Sequence, residues 1–226
     1  MIVGVELQKS WRRHFFYRKE VWKTTWKFKL AALVLIFLSL VAAKKILSQP
    51  FAQSLMCVET TTPSDALLLE NFDSDYLVFE RAESLRRAGV ASRILVPLIG
   101  VGQADISNSY QLDFAKAMAR VARLSDIEPI AVPNRDEPVS LNAAKQIRDF
   151  LLREKIRSIV VVAPGFRSRR SELIYETVFS PAGISVGCAP TRGTTTPKNW
   201  TSTWHGMQDV FEQFAKLQYY RFYAIW

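Results

Sequence analysis

The stretch from residue 158 to residue 179, SIVVVAPGFRSRRSELIYETVF, contains the unit that decides the fold. It begins with a small, apolar run, residues 158–163, and continues through a polar loop. From residue 168 onward, apolar residues recur every three or four positions, which is the period of an amphipathic helix. The stretch therefore predicts a buried strand followed by a helix.

The same pattern extends in both directions from this unit, between residue 65 and the C-terminus. Further strands are predicted at residues 66–69, 93–96, 129–132 and 184–189, and further helices at residues 75–88, 110–124, 140–154 and 203–220. Gly89 and Gly183 are plausible helix stop signals. Repeated strand–helix units need crossover connections, so we predict an α/β fold with a doubly wound, mostly parallel sheet of about five strands. Ligands of such sheets bind beyond the carboxyl ends of the strands.

The positive charge of the chain is concentrated at its N-terminus. The formal net charge is +9, and the residues before position 46 include ten Lys or Arg but only two acids, Glu6 and Glu20. The rest of the chain has 20 basic and 19 acidic residues. A nearly neutral domain lacks the basic surplus of a nucleic-acid-binding surface, so no nucleic-acid partner is predicted.

Residues 30–43, LAALVLIFLSLVAA, carry no charge and predict a membrane helix. Fourteen helical residues rise only about 21 Å, whereas the hydrocarbon core is roughly 30 Å thick. Residues 28–47 make up the span if Lys29, Lys44 and Lys45 extend to the headgroups. We therefore predict a basic arm (1–27) and an uncleaved transmembrane helix (28–47). The alternatives are a cleaved signal peptide, a buried core helix and an amphipathic surface helix.

The distribution of basic residues predicts the orientation of this helix. Eight basic residues precede the charge-free run at residues 30–43 and only Lys44 and Lys45 closely follow it, so the arm should stay in the cytoplasm. Residues 48–64, SQPFAQSLMCVETTTPS, show no periodicity and are interpreted as a linker to a domain at residues 65–226. The helix makes membrane lipid one expected partner.

Two cysteines and two histidines are the residues of the chain that most often bind metals. On an oxidising side of the membrane Cys57 and Cys188 could pair, but their spacing does not establish proximity, and two unpaired thiols are expected. His14 and His205 lie far apart in the sequence, and no metal site is predicted from them.

The loops at the strand ends contain the candidate binding residues. Arg167, Arg169 and Arg170 stand at the start of a helix, where free amides already favour an anion. The alternative is that they pair with acids such as Glu172. Glu137 could act as a general base or contact a ligand, but an acid near a helix N-terminus is more often a partner of the helix dipole. Both pairs of interpretations stay open at this point.

Several segments, taken in order, resemble the ElyC/SanA/YdcF-like envelope-associated domain family over residues 65–221. The matching pieces are Asp65-Ala66-Leu67-Leu68-Leu69, Arg81 through Leu85, Gly89 to Val96, Val160-Val161-Val162 leading to Phe166 and Arg169-Arg170, Asn199-Trp200, Trp204, Glu212 and Tyr219-Tyr220-Arg221. The resemblance implies an α/β domain behind an N-terminal helix in the bacterial inner membrane, facing the periplasm or the exterior.

The chain departs from the family pattern at the strand ends. The family's paired glycines are replaced by Asn71-Phe72 and by Leu98-Ile99, and its histidine corresponds to Arg167. Bulky residues at strand tips narrow a pocket that glycine would leave open. The chain is therefore expected to be a non-catalytic or catalytically altered member of this family. It would act in envelope assembly or as an accessory subunit beside other membrane protein subunits.

The rival hypothesis is an envelope enzyme that acts on a phosphate-bearing precursor or a nucleotide-like ligand. Glu137 would then be the candidate base. The candidate ligand-binding residues are Asn71, Asn142, Arg167, Arg169, Arg170 and Arg192. Some members of the family are linked to adenosylmethionine binding. This chain lacks the family's glycines at the strand tips, so that cofactor is not expected here and no cofactor is predicted.

Overall fold

The computed structural model describes residues 25–60, 62–72, 75–99, 107–124, 126–133 and 136–225, without the side chains of residues 40–42, 44–45, 99 and 107–109. Most of the predicted arm, residues 1–24, lies outside this description. The chain divides into two compact units, Met1–Lys44 and Lys45–Trp226.

The first helix, α1, spans Trp26–Gln53 and contains the predicted membrane segment, residues 28–47. Its apolar side chains face solvent, among them Leu33, Leu35, Ile36, Phe37 and Leu38. Of the helices that the structure describes, none combines the length and the apolar character needed to cross a membrane.

The second unit is built on a five-stranded sheet in which every strand pairs in parallel, in the order β3-β2-β1-β4-β5. The strands are β1 (Ala66–Leu69), β2 (Arg93–Ile99), β3 (Glu128–Val132), β4 (Ser158–Ala163) and β5 (Ser185–Pro190). The helices are α2 (Tyr76–Arg87), α3 (Ser107–Val121), α4 (Val139–Arg153), α5 (Ser168–Phe179) and α6 (Trp204–Tyr219). The sheet confirms the predicted α/β class.

Helices cover both faces of the sheet, as the alternation of side chains along β1 shows. Leu67 and Leu69 join the core beneath α2 and α3, whereas Ala66 and Leu68 join the core beneath α4 and α5. Successive strand residues point to opposite faces, so a strand with two covered faces must be apolar throughout. This explains why β1 and β4 read as continuous apolar runs.

Most predicted boundaries agree with the structure to within three residues. The strands at 66–69 and 158–163 and the helix at 168–179 are reproduced unchanged. Gly89 and Gly183 follow helical segments with φ of 76° and 75°, which is the left-handed conformation that glycine adopts without strain. The stop signals were therefore correctly identified.

The segment interpreted as a linker, residues 48–64, is partly folded. α1 runs on to Gln53, and Ala52 and Leu55 are buried against Phe166 and Trp200. The amide of Thr60 donates to the carbonyl of Cys188, with N and O 2.7 Å apart. The domain therefore begins before residue 65, because apolar residues in this segment find buried partners.

The expectation of two unpaired thiols is wrong. Cys57 and Cys188 form a disulfide, with their Cα atoms 6.2 Å apart. The fold makes this possible because the Thr60–Cys188 hydrogen bond aligns the segment after α1 with β5. Since 131 positions separate the two cysteines, sequence spacing gave no indication of the contact.

Candidate functional site

The carboxyl ends of β1 and β4 define the switch point of the sheet. These two strands are neighbours, with Leu69 opposite Val162, and the helices that follow them cover opposite faces. The loops after the two strands therefore separate, leaving a crevice beyond the sheet edge. Two clefts lie at this edge, and Arg167 lines both of them.

The smaller cleft, which we call the arginine cleft, has a volume of about 350 Å³. It brings together charged residues from four separate segments of the chain. Its lining consists of Glu70, Phe72, Glu137, Pro138, Val139, Ser140, Arg167, Arg170, Lys216, Tyr219 and Tyr220. Three cations and two carboxylates thus share one small space, and three of the predicted candidates, Glu137, Arg167 and Arg170, are among them.

Only two of the three predicted arginines line this cleft. Arg167 and Arg170 lie three positions apart and therefore project from the same side of a helical turn. Arg169 projects elsewhere, and its Nη1 donates to Glu172 Oε2 at 2.5 Å. Arg169 thus follows the ion-pair interpretation, whereas anion binding by Arg167 and Arg170 stays a prediction.

Arg170 is the more deeply buried of the two cleft arginines. Its side chain is only 6% exposed, and its guanidinium lies 5.9 Å from the centre of the Tyr220 ring. A cation over an aromatic face is attracted by the ring's electrons, and more strongly when water is excluded. Arg170 therefore ties the C-terminal turn after α6 to the start of α5.

Sequence reasoning missed Glu70, the most buried charge of the cleft. It follows β1, and the hydroxyl of Ser171 donates to its carboxylate. Nearby Tyr175 is fully buried; burial, and then the negative charge of Glu70, raises the pKa of its hydroxyl well above the usual value. Glu70 directly follows the apolar run of β1. A charged residue at the end of a strand was the signal in the sequence that could have identified it.

Glu137 is exposed and accepts a hydrogen bond from the amide of Val139, with Oε2 and N 3.3 Å apart. That amide belongs to the first turn of α4. The side chain thus does what a carboxylate at a helix N-terminus commonly does. This geometry matches the dipole-partner interpretation of Glu137.

Asn142, predicted to contact a ligand, instead supports the loop before α4. Its Nδ2 donates to the carbonyls of Asp136 and Glu137, at 3.0 and 3.3 Å. Asn71 lies in the sequence between Glu70 and Phe72, which line the cleft. Its buried Oδ1 has no hydrogen-bond donor among the described residues. Neither asparagine lines the arginine cleft.

The bulky residues Phe72 and Leu98, near the ends of β1 and β2, pack in different places. Phe72 lines the arginine cleft and packs against the core beneath α4 and α5. Leu98 is buried in the other core, beneath α2 and α3. The cleft is therefore narrowed by Phe72 but remains open.

The larger cleft, which we call the threonine cleft, has a volume of about 790 Å³. It lies beyond β4 and β5, between the loop at residues 190–197 and the segment that carries Cys57. Arg192 lines it, and Arg192 Nη2 lies 3.5 Å from Glu59 Oε2. Arg192 therefore belongs to a different cleft from Arg170, although both follow strand ends.

One cluster of potential metal ligands occurs beside the disulfide. Atoms of Cys57, Cys188 and Glu172 lie within 4.8 Å of one another. The two sulfurs are joined to each other, so they are not thiolates, and the metal-binding form of cysteine is the thiolate. Burial raises the pKa of Glu172, and the hydrogen bond from Arg169 opposes that shift.

Comparison with known proteins does not identify a family: no family model, curated protein or solved structure matches the chain.

Proposed function

We propose that this chain is a membrane-anchored, non-catalytic α/β domain of the bacterial envelope. It acts in envelope assembly or as an accessory subunit of a membrane protein complex. Its N-terminal arm is cytoplasmic, and its domain faces the periplasm or the cell exterior.

The anchor is supported by the apolar side chains of α1 that face solvent. Leu33 and Leu35 are each more than half exposed, although they lie on nearly opposite sides of the helix. A helix that is apolar all round is typical of a lipid environment. Its charge-free run is short, so the proposal requires the flanking lysines to extend to the headgroups.

The disulfide is the observation that carries the proposed location of the domain. Disulfides form and persist in oxidising compartments, and they are rare in a reducing cytoplasm. The Cys57–Cys188 bond joins the segment after α1 to β5. The excess of basic residues before α1 supports the same orientation by an independent physical rule.

The carboxylates of the arginine cleft support the non-catalytic part of the proposal. Glu70 accepts a hydrogen bond from Ser171, and Glu137 accepts one from the amide of Val139. A general base needs to reach the proton that it removes. Both carboxylates already serve the structure, which favours a binding or supporting role for the cleft.

A membrane extraction experiment tests the anchor. Membranes from cells that express the full chain are washed with alkaline carbonate, which removes peripheral proteins, and then dissolved in mild detergent. We expect the chain to stay in the membrane after the wash and to copurify with other membrane subunits from the detergent extract. Release by carbonate would contradict a spanning anchor.

A second candidate is an enzyme that acts on a phosphate-bearing ligand. The observation that favours it is the convergence of Arg167, Arg170 and Lys216 on the arginine cleft. Arginine and lysine are the side chains that most often bind phosphate. Glu137 would be its only candidate base among the predicted residues.

Thermal unfolding with inorganic phosphate and pyrophosphate, which carry no sugar, separates the two candidates. A ligand raises the melting temperature only through its affinity for the folded state. The non-catalytic proposal predicts no protection of the wild type by these compounds. Protection that Arg167→Ala abolishes, but that the matched variant Arg169→Ala retains, would favour the enzyme.

A further inference from the structure

Gln213 is a buried polar side chain with an unused hydrogen-bonding atom. It lies on α6, is 4% exposed and lines the threonine cleft. Its Nε2 donates to Asp209 Oδ1 at 3.4 Å, whereas its buried Oε1 receives no hydrogen bond from the described residues. Buried amide oxygens almost always accept a hydrogen bond, so this oxygen has capacity for a donor such as a water molecule or a ligand hydroxyl.

The backbone forms another part of the cleft wall. At Gly165 an added Cβ would come within 3.0 Å of the carbonyl oxygen of Thr191, and at Gly193 within 3.4 Å of Leu77 Cδ1. Gly165 therefore allows the loops after β4 and β5 to pack closely together where they form the cleft wall. Both glycines follow strands of the switch-point edge, where ligands of this fold class bind.

The cleft offers hydrogen-bonding groups of both kinds. Thr191, Thr194, Thr195 and Thr196 carry hydroxyls, which donate and accept. Burial raises the pKa of Asp209, and its hydrogen bond with Gln213 opposes the shift. Arg167 adds donors where the two clefts meet.

Apolar side chains line the rest of the cleft, among them Met56, Leu77 and Phe166. A combination of apolar surface with a few directed polar groups is typical of small-molecule sites, and 790 Å³ lies within their usual size range. The ligand should thus have C–H surface for the apolar side chains and several hydroxyls or amides for the polar ones. Sugars have both.

We propose that the threonine cleft binds a sugar-like, hydroxyl-bearing molecule that donates a hydrogen bond to Gln213 Oε1 and packs its C–H face against the apolar side chains of the cleft. This site is separate from the arginine cleft except for Arg167. The proposal does not depend on the membrane anchor or on the absence of catalysis.

The test uses the full chain in mild detergent and N-acetylglucosamine, which carries both hydroxyls and an amide. The melting temperature is measured against sugar concentration for the wild type, Gln213→Leu and Gln208→Leu. Gln208 is an exposed residue of the same helix outside the cleft, so it is the matched control. Inorganic phosphate is a second probe that reports the arginine cleft.

We expect millimolar N-acetylglucosamine to raise the melting temperature of the wild type and of Gln208→Leu. Gln213→Leu should bind the sugar at least about tenfold more weakly, because one buried hydrogen bond is lost. Without sugar, Gln213→Leu loses only the long hydrogen bond from Nε2 to Asp209, so its melting temperature should differ little from that of the wild type.

Two results would overturn the proposal. One is the absence of any protection of the wild type by the sugar; the other is equal protection of the wild type and Gln213→Leu. If Gln213→Leu does not fold, Thr194→Val replaces it, because Thr194 is exposed in the cleft and valine has the same shape. Unchanged sugar affinity in that variant would count equally against the site.

Discussion

Glu83 illustrates how a single carboxylate can be held charged inside the fold. It is a buried residue of α2, and its carboxylate accepts hydrogen bonds from Arg86 Nε and Arg87 Nε, each at 2.7 Å. The hydrogen bond from Arg86, and after it the one from Arg87, lowers the pKa of Glu83 to about 2. The folded protein therefore binds the Glu83 proton more weakly than the unfolded chain does.

This shift predicts a pH-dependent effect of Glu83→Gln. Because the folded pKa is lowered, Glu83 stabilises the fold above the unfolded pKa of 4.5, and this contribution disappears as the pH falls toward about 2. Near neutral pH the variant should melt at a lower temperature than the wild type. Melting curves across this pH range should show the difference shrinking on acidification.

The control for this prediction is Glu80→Gln, an exposed acid on the same helix. We expect its melting temperature to follow that of the wild type at every pH. If the difference in melting temperature between the wild type and Glu83→Gln stays constant between neutral and acidic pH, the ion pairs of Glu83 are not its cause.

The disulfide is the element-scale contact with the largest expected effect on stability. It closes a loop across 131 positions and fastens the segment after α1 to β5. Replacing both cysteines with alanine should lower the free energy of unfolding by roughly 2–4 kcal/mol, the usual range for a native disulfide. Chemical unfolding with and without a reducing agent measures this.

In the same experiment, the reducing agent should destabilise the wild type and leave Cys57→Ala/Cys188→Ala unchanged. Equal stability of the wild type in the two conditions would show that the bond contributes nothing.

The helical turn at Tyr220–Ala224, directly after α6, contains one buried and two exposed aromatic residues. Tyr220 is buried under Arg170 and Ile225 packs on the core, while Phe222 and Tyr223 are 62% and 77% exposed. Exposed aromatic side chains are frequent at membrane interfaces and in binding hot spots. We expect Phe222→Ser/Tyr223→Ser to keep the wild-type melting temperature but to weaken association with copurifying subunits.

Association is measured by the yield of copurified subunits from detergent extracts. The matched variant Ile225→Ala should lower the melting temperature instead, because Ile225 contacts the core. A lower melting temperature of Phe222→Ser/Tyr223→Ser, with unchanged copurification, would show that the two aromatics serve the domain alone.

The elements were largely predictable from the sequence, whereas several contacts between them were not. Apolar runs and helical periodicity located β1, β4 and α5 because burial on one or two faces imposes those patterns directly. The Cys57–Cys188 bond and the Glu70–Ser171 contact join residues more than 100 positions apart. Such contacts depend on strand order, which local patterns do not specify.

The candidate site shows the same limit within one loop. The sequence identified Arg167, Arg169 and Arg170 as a group, but helix geometry divides them. Adjacent helical residues point about 100° apart, so Arg169 and Arg170 cannot face one cleft. The threonine cleft was not predicted, because its wall includes the segment after α1 that was interpreted as a linker.

At the scale of the whole molecule, the account links an asymmetric charge distribution to an oxidised domain. Residues 1–45 carry a net charge of +8 out of the total of +9, and the rest of the chain is close to neutral. Basic residues are retained on the cytoplasmic side of membranes, and disulfides form on the other side. The proposed topology, an anchored chain with its domain outside the cytoplasm, accounts for both observations.

A topology reporter tests this central claim most directly. Alkaline phosphatase, which is active only where its own disulfides form, is fused after the last residue of the full chain, and its activity is measured in intact cells. We expect the phosphatase fusion to be active. We expect green fluorescent protein fused at the same position not to fluoresce, because it does not become fluorescent after export through the general secretory pathway. An inactive phosphatase together with a fluorescent partner fusion would place the domain in the cytoplasm and contradict the account.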